Sequence, residues 1–287
     1  MRSKFGFGKA VRRFTRGLAN QLYRDGKRAS SPEWREKLLR FVHRYAPSDT
    51  AGPFPTAILL HGCSGDKEHL QRWGRLLAQH GLVVYTIDSL SPREISPIQA
   101  RCFVCTGLML QGKERSRDLT EIMSFALQDP MVDRGRINLI GWSHGAWTIL
   151  EWMLDNSSTS AATHPDVSAH ALVLNYPYCG LASMIHEKEW RRRIPIMITT
   201  AGRDCVVPNK KTFAFGQTLL DNDVPVTQLH FASAGHAFDV EGSPQYNADS
   251  TATLQAAVIE WECQKFCVRS RVDHHAVTNL SSNMMAN

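Results

Sequence analysis

The stretch INLIGWSHGAW, residues 137–147, passes from a short apolar run into a turn where Gly141 and Gly145 flank Ser143. INLI has the composition of a buried strand, and GAWTILEWML, from Gly145 onward, has the apolar pattern of a helix. In a G-x-S-x-G turn between strand and helix, the serine backbone is strained, and small neighbours let the two elements pass closely. An ordinary strand-to-helix connection is the alternative. The motif predicts that Ser143 is a nucleophile at a helix N-terminus.

Apolar segments alternate with helical segments along most of the chain. Strands that are apolar throughout and separated by helices predict an α/β protein with a mostly parallel, doubly wound sheet, covered by helices on both faces. Ligands bind such sheets at the carboxyl ends of the strands. The predicted strands are LLRFVHRY (38–45), TAILLHG (56–62), LVVYTIDSL (82–90), RINLIG (136–141), ALVLNYP (171–177), IPIMITTAG (194–202) and TQLHFASAG (227–235).

A serine nucleophile needs a base, and the base needs a carboxylate that orients it. Asp204 follows the segment IPIMITTAG, and His236 follows TQLHFASAG, so both come after strand ends on the edge that Ser143 occupies. In proteins whose nucleophilic serine lies on such a turn, the triad residues follow one another along the chain in the order Ser, Asp or Glu, His, and these three residues have that order. Asp204 could instead be a turn or capping residue, while Asp239 follows His236 and is a poorer candidate for orienting it. The pattern predicts a catalytic triad of Ser143, Asp204 and His236.

Attack on a carbonyl creates an oxyanion, which needs hydrogen-bond donors already in place. The backbone amide after the nucleophile, that of His144, is the first predicted donor. The second is the amide of Cys63, in the loop HGCSG after TAILL. Tyr176 follows another strand end, where it either contacts substrate or packs in the core.

Four motifs together resemble the dienelactone hydrolase family of α/β-hydrolases, over roughly residues 50–265: LLHGCSG, GWSHG, AGRD with Pro208, and AGHAFD. The resemblance implies an α/β-hydrolase fold that cleaves esters or lactones without a cofactor or metal, with the triad and oxyanion donors at the positions above. The founding enzymes of that family have cysteine where this chain has Ser143, which favours a general esterase. They also bind a substrate carboxylate through arginines, for which Arg93, Arg101 and Arg203 are candidates here.

The sequence therefore predicts a serine hydrolase that cleaves carboxylic esters or lactones through an acyl-enzyme. An acyltransferase or a peptidase could use the same residues, and a non-catalytic docking protein could be built on the same scaffold. Only about a dozen residues separate ALVLNYPYCG from IPIMITT. That is too few for a large lid domain, so an open site and a small-molecule substrate are expected.

Basic residues are concentrated in the first part of the chain. Residues 1–50 hold 13 Lys and Arg against 4 Asp and Glu, whereas the rest holds 20 against 23. This distribution argues against a nucleic-acid enzyme, whose basic surface would surround its chemistry. Apolar residues recur at helical spacing in residues 1–24, which indicates a basic amphipathic helix. Such a helix could contact a membrane peripherally, act as an organelle transit sequence, or pack on the main domain.

We expect a basic extension over residues 1–50, a catalytic domain over 51–268 and a disordered tail over 269–287. An odd number of scattered cysteines, seven in all, favours mostly free thiols and a cytoplasmic location. Two close pairs, Cys102 with Cys105 and Cys263 with Cys267, could alternatively form local disulfides or a four-sulfur zinc site.

Overall fold

The computed structural model describes residues 31–48, 52–155, 168–180, 183, 185, 190 and 192–266. The predictions for the basic helix in residues 1–24 and for the tail from 269 lie outside these residues. So do most of the residues between ALVLNYPYCG and IPIMITT, on which the prediction of an open site without a lid depends. None of the helices within the described part combines the length and apolarity needed to cross a membrane.

A sheet with seven strands in the described residues forms the centre of the molecule. The strands are β1 (Val42–Tyr45), β2 (Phe54–Leu60), β3 (Val83–Ile87), β4 (Val132–Trp142), β5 (Ala171–Asn175), β6 (Ile196–Ala201) and β7 (Val226–Phe231). They lie in the order β1-β3-β2-β4-β5-β6-β7. Among these strands β1 is antiparallel to its neighbour, and the remaining pairs are parallel. The predicted mostly parallel sheet is therefore confirmed.

Helices cover both faces of the sheet because successive residues of each strand point to opposite sides. The helices are α1 (Pro32–Leu39), α2 (Lys67–Gln79), α3 (Pro97–Gln99), α4 (Gly112–Ala126), α5 (His144–Asp155), α6 (Asn209–Asp221) and α7 (Ala248–Phe266). In β2, Ile58 and Leu60 join a core cluster with residues of α1, α4, α5 and α6, and Ala57 and Leu59 join a second cluster with α2 and α7. The sheet is thus doubly wound.

The sheet begins before residue 51, where the sequence placed the start of the catalytic domain. Strand β1 pairs along its length with β3, and Trp34 and Leu38 of α1 are buried in the core. Ser31 caps α1 by accepting a hydrogen bond from the Trp34 amide at 3.2 Å. Residues 32–45 consequently belong structurally to the sheet domain and not to a separate extension.

Two of the cysteines are bonded to each other. Cys63 and Cys105 form a disulfide, with Cα atoms 5.0 Å apart, so Cys63 is not a free thiol and Cys105 does not pair with Cys102. Disulfides are rare in reducing compartments, so this bond removes the cysteine argument for a cytoplasmic location. Among the described residues, Cys102 and Cys205 are exposed free thiols, and no cluster of His, Cys, Asp or Glu is suited to a metal.

Candidate active site

Ser143 occupies the sharp turn between β4 and α5. Its φ of 51° lies in the left-handed region that non-glycine residues rarely adopt. A Cβ atom on Gly141 would lie 2.5 Å from the Ala146 nitrogen, and one on Gly145 would lie 2.1 Å from the Leu60 carbonyl oxygen. Only glycine therefore fits at either position without displacing backbone, which is the reason that the motif has its two glycines.

Three side chains from distant parts of the sequence meet beside this turn. The Ser143 Oγ lies 3.0 Å from His236 Nε2, and His236 Nδ1 lies 2.7 Å from Asp204 Oδ2. Asp204 follows β6 and His236 follows β7, so the carboxyl ends of neighbouring parallel strands bring them to the edge that carries Ser143. With the Nδ1 proton donated to Asp204, Nε2 is free to accept the serine proton.

The Asp204 carboxylate is held on both oxygens. Its Oδ1 accepts hydrogen bonds from the amides of Val206 and Val207, each at 2.8 Å, and Oδ2 is left for His236. The Asp204 side chain is fully buried, whereas the His236 side chain is 14% exposed and Ser143 is 8% exposed. The orienting group is thus shielded from water, while the nucleophile and base remain within reach of a ligand.

The loop HGCSG lies directly beside Ser143. Leu60, at the end of β2, pairs with Gly141 of β4, which places His61 and the residues after it next to the turn. A Cβ on Gly62 would lie 3.8 Å from the Ser143 Cβ. His144 is the first residue of α5, where helical N–H groups have no acceptor within the helix.

Arg93 does not serve as a substrate clamp in this structure. Its guanidinium makes two hydrogen bonds to Asp118, at 2.7 and 2.9 Å, and its side chain is only 4% exposed. It also donates to the Ser89 carbonyl and covers the ring of Trp34. The charge of this candidate for binding a substrate carboxylate is therefore already paired inside the protein.

Tyr176 likewise takes the packing alternative. It is 2% exposed, and its hydroxyl donates to Asp239 Oδ1 at 2.6 Å. Its ring lies edge-on to His236, with ring centroids 4.9 Å apart. Burial and the neighbouring Asp239 charge raise the pKa of Tyr176 well above its ordinary value, so the hydroxyl remains a donor. Tyr176 supports the wall behind His236 and does not present its hydroxyl to a substrate.

Asp239 is a second buried carboxylate near the triad, with a role that sequence reasoning missed. Its Oδ2 accepts from His69 Nε2 and Trp142 Nε1, each at 2.8 Å, in addition to the Tyr176 bond on Oδ1. Burial raises the pKa of Asp239, but His69 and these hydrogen bonds outweigh burial and hold it below its ordinary value. The carboxylate thus joins α2, β4 and the segment after β5 beneath His236. Proximity to His236 in the motif AGHAFD was its only sequence signal.

Sequence comparison assigns the chain to a family. The model of the dienelactone hydrolase family matches residues 42–265. The chain belongs to the dienelactone hydrolase family. The resemblance seen in its motifs is confirmed, and membership supports a hydrolase. Comparison with curated proteins gave no match.

Solved structures with the same architecture include other hydrolases. A Klebsiella pneumoniae subsp. pneumoniae MGH 78578 protein assigned as a dienelactone hydrolase has a TM-score of 0.63 and 19% identity, over 78% of this chain and 92% of that one. A dienelactone hydrolase-like promiscuous phosphotriesterase from metagenomic libraries has a TM-score of 0.58 and 17% identity, over 78% and 92%. Thermogutta terrifontis esterase 2, phosphorylated by paraoxon, has a TM-score of 0.62 and 14% identity, over 79% and 90%. These matches establish the α/β-hydrolase fold.

Proposed function

We propose that this dienelactone hydrolase family member is a serine hydrolase that cleaves carboxylic esters or lactones through an acyl-enzyme. The observation that carries the proposal is the continuous hydrogen-bonded line from Ser143 through His236 to Asp204, with contacts of 3.0 and 2.7 Å. A hydroxyl aligned with an imidazole, itself aligned with a buried carboxylate, is the arrangement that activates serine for acyl transfer.

Acylation begins when His236 Nε2 takes the proton from Ser143 Oγ as the oxygen attacks the ester carbonyl. The carbonyl becomes a tetrahedral oxyanion, which the amides of Cys63 and His144 stabilise. Asp204 stabilises the imidazolium that forms, and its fixed Oδ2 keeps Nε2 directed at the serine. His236 then gives the proton to the leaving alcohol, and the acyl group stays on Ser143.

Deacylation repeats these steps with water in place of the serine hydroxyl. His236 takes a proton from water, the hydroxide attacks the acyl carbonyl, and the same two amides hold the second oxyanion. Collapse of that intermediate returns the proton from His236 to Ser143 Oγ and releases the acid. If the leaving alcohol remains tethered to the acyl group, as in a lactone, the product is a single hydroxy acid.

One of the three arginines considered for a substrate carboxylate, Arg93, is paired with Asp118. The other two, Arg101 and Arg203, are exposed. Ser143 in place of the cysteine of the family's founding enzymes supports a general esterase. A simple ester is therefore the appropriate first substrate.

A panel of p-nitrophenyl esters with acyl chains of increasing length tests the proposal. Ser143→Ala should lower kcat on every ester that the wild type cleaves by at least about 10³, because the nucleophile is lost. Cys205→Ser is the matched control, since it removes an exposed free thiol next to Asp204, and its kcat should equal that of the wild type.

Retention of activity by Ser143→Ala within about tenfold of the wild type would refute the assignment of the nucleophile. An inert wild type across the whole panel would refute ester hydrolysis. Transfer of the acyl group to an added alcohol in preference to water would identify an acyltransferase using the same residues, and cleavage of an acylated peptide in preference to esters would identify a peptidase.

A further inference from the structure

Arg115 is a buried cation behind the proposed oxyanion hole that the mechanism above does not use. It lies on α4 and is completely buried. Its Nε donates to Ser89 Oγ at 3.0 Å, and its Nη1 donates to the His61 carbonyl oxygen at 2.8 Å and to His144 Nδ1 at 3.1 Å. A single guanidinium therefore joins the end of β3, the end of β2 and the start of α5.

The charge of Arg115 is not neutralised by a carboxylate of its own. Within the described residues no acidic oxygen lies at ion-pair distance from it, and the neighbouring Asp118 is bound on both oxygens by Arg93. Burial lowers the pKa of Arg115 to about 10, so the group remains charged at neutral pH. Asp118 and Asp88 act on Arg115 only from beyond ion-pair distance. Because removing a charge from water is unfavourable unless a close partner compensates it, packing alone does not explain why an arginine occupies this position.

Both contacts of Nη1 lead to a proposed oxyanion donor. The His61 carbonyl lies two residues before Cys63, in the loop beside Ser143, and His144 supplies the other donor through its own backbone amide. The imidazole of His144 is fixed on both nitrogens, because Nδ1 accepts from Arg115 and Nε2 donates to the Leu110 carbonyl at 2.7 Å. Burial, followed by the Arg115 charge, holds the pKa of His144 well below its ordinary value, so this imidazole is neutral.

We propose that Arg115 is a positioning residue that holds the two oxyanion donors at a fixed separation and places a positive charge behind them. The inference rests on the proposed function. A planar guanidinium can bind several acceptors in one rigid geometry, which the single ammonium of lysine cannot do. Donors held in this way require no rearrangement when the oxyanion forms, so their contribution falls on the transition state and not on substrate binding.

The test compares kcat and KM on the best p-nitrophenyl ester for the wild type, Arg115→Met, Arg115→Lys and Arg93→Met, all as the full chain. Arg93→Met is the matched control, because it also removes a buried arginine of the same region but leaves the bonds to His61 and His144 intact. The affinity for a boronic acid, which forms a tetrahedral adduct with serine, is measured for each variant alongside its Tm.

We expect Arg115→Met to lower kcat by about 30- to 300-fold with KM changed less than about threefold, and to weaken boronic acid binding in parallel. Arg115→Lys retains the positive charge but lacks the planar guanidinium with its several N–H donors, so its kcat should fall by about 5- to 20-fold. Arg93→Met should keep kcat within about threefold even where its Tm falls as far as that of Arg115→Met.

An unchanged kcat in Arg115→Met, or equal kcat losses in Arg115→Met and Arg93→Met at equal loss of Tm, would overturn the proposal while ester hydrolysis by the wild type stood. If Arg115→Met does not fold, Arg115→Lys decides, and a wild-type kcat in that variant overturns the proposal. A wild type inactive on every ester would overturn the proposed function itself, and the role of Arg115 with it.

Discussion

Glu262 offers a test of the packing of the last helix against the sheet. It lies on α7, is 1% exposed, and its Oε1 accepts a hydrogen bond from the Asn138 amide of β4. Its Oε2 and the Asn138 Oδ1 have no hydrogen-bond partner among the described residues. Burial raises the pKa of Glu262 from its ordinary value of 4.5 to about 8, although the bond from Asn138 opposes the shift. Glu262 is therefore protonated in the folded protein at neutral pH.

The raised pKa makes stability depend on pH with a definite sign. Because the folded state holds the proton more tightly than the unfolded state, the contribution of Glu262 is fully present below pH 4.5 and is lost as the pH rises towards 8. The loss is about 1.4 kcal/mol per pH unit, which amounts to about 2.5 kcal/mol between pH 5 and pH 7. Glutamine cannot ionise, and its amide can both accept from Asn138 Nδ2 and donate to Oδ1, so Glu262→Gln should remove this loss.

Urea unfolding at pH 5 and pH 7 measures the effect. The free energy of unfolding of Glu262→Gln, relative to the wild type, should rise by about 2.5 kcal/mol between these two values. Glu260→Gln is the matched control on the same helix, since Glu260 is exposed, and substitution of an exposed side chain should leave the free energy of unfolding within about 0.5 kcal/mol of the wild type at both pH values. A Glu262→Gln difference that is the same at pH 5 and pH 7 would refute the account of this buried carboxyl.

Three further variants test the site and its surroundings. Asp204→Asn should lower kcat by about 10⁴ at similar KM, because the amide favours the wrong imidazole tautomer; a kcat loss under about tenfold would contradict the orienting role. Gly145→Ala should lower the free energy of unfolding by at least about 1–3 kcal/mol, since its Cβ would lie 2.1 Å from the Leu60 oxygen; an unchanged urea midpoint would contradict this close approach. Cys105→Ser should lower the free energy of unfolding by about 2–4 kcal/mol by opening a disulfide across 42 positions. Cys102→Ser should not change that energy, and equal effects of the two would contradict the pairing.

The sheet and the proposed triad could be predicted because their signals are local. Each strand is a short apolar run, and Gly141 marks in the sequence where the strand before Ser143 ends. Once the strands are parallel, every residue that follows one lies at the same edge, so Asp204 and His236 could be placed without any contact being known. Their catalytic roles remain predictions, although the structure brings the three side chains together.

The partners of the buried polar residues could not be predicted, because nothing local specifies them. Arg93 looks the same in sequence whether it faces a substrate or Asp118, which lies 25 residues away. The disulfide joins Cys63 to the more distant member of a C-x-x-C pair across a separation of 42 residues. Arg115 bonds to residues 26, 54 and 29 positions away, each in a different part of the chain. Such contacts follow from how the layers pack, which periodicity does not encode.

The sequence indicated the first strand but not its place in the sheet. The run LLRFVHRY (38–45) predicts a strand, and β1 lies within it. Helix α1 has only eight residues, which carry little periodicity, and the basic composition of residues 1–50 set the expected boundary instead. The pairing of β1 with β3 and the burial of Trp34 and Leu38 join both elements to the sheet domain.

Covalent labelling by a fluorophosphonate tests the central claim most directly, since the reagent phosphonylates a serine only when a base and an oxyanion site activate it. After treatment of the full chain, intact mass and peptide mapping should show one adduct per molecule, located on Ser143, and no adduct on Ser143→Ala. A stoichiometric adduct on any other residue, or an unmodified Ser143 in the folded wild type, would contradict the account.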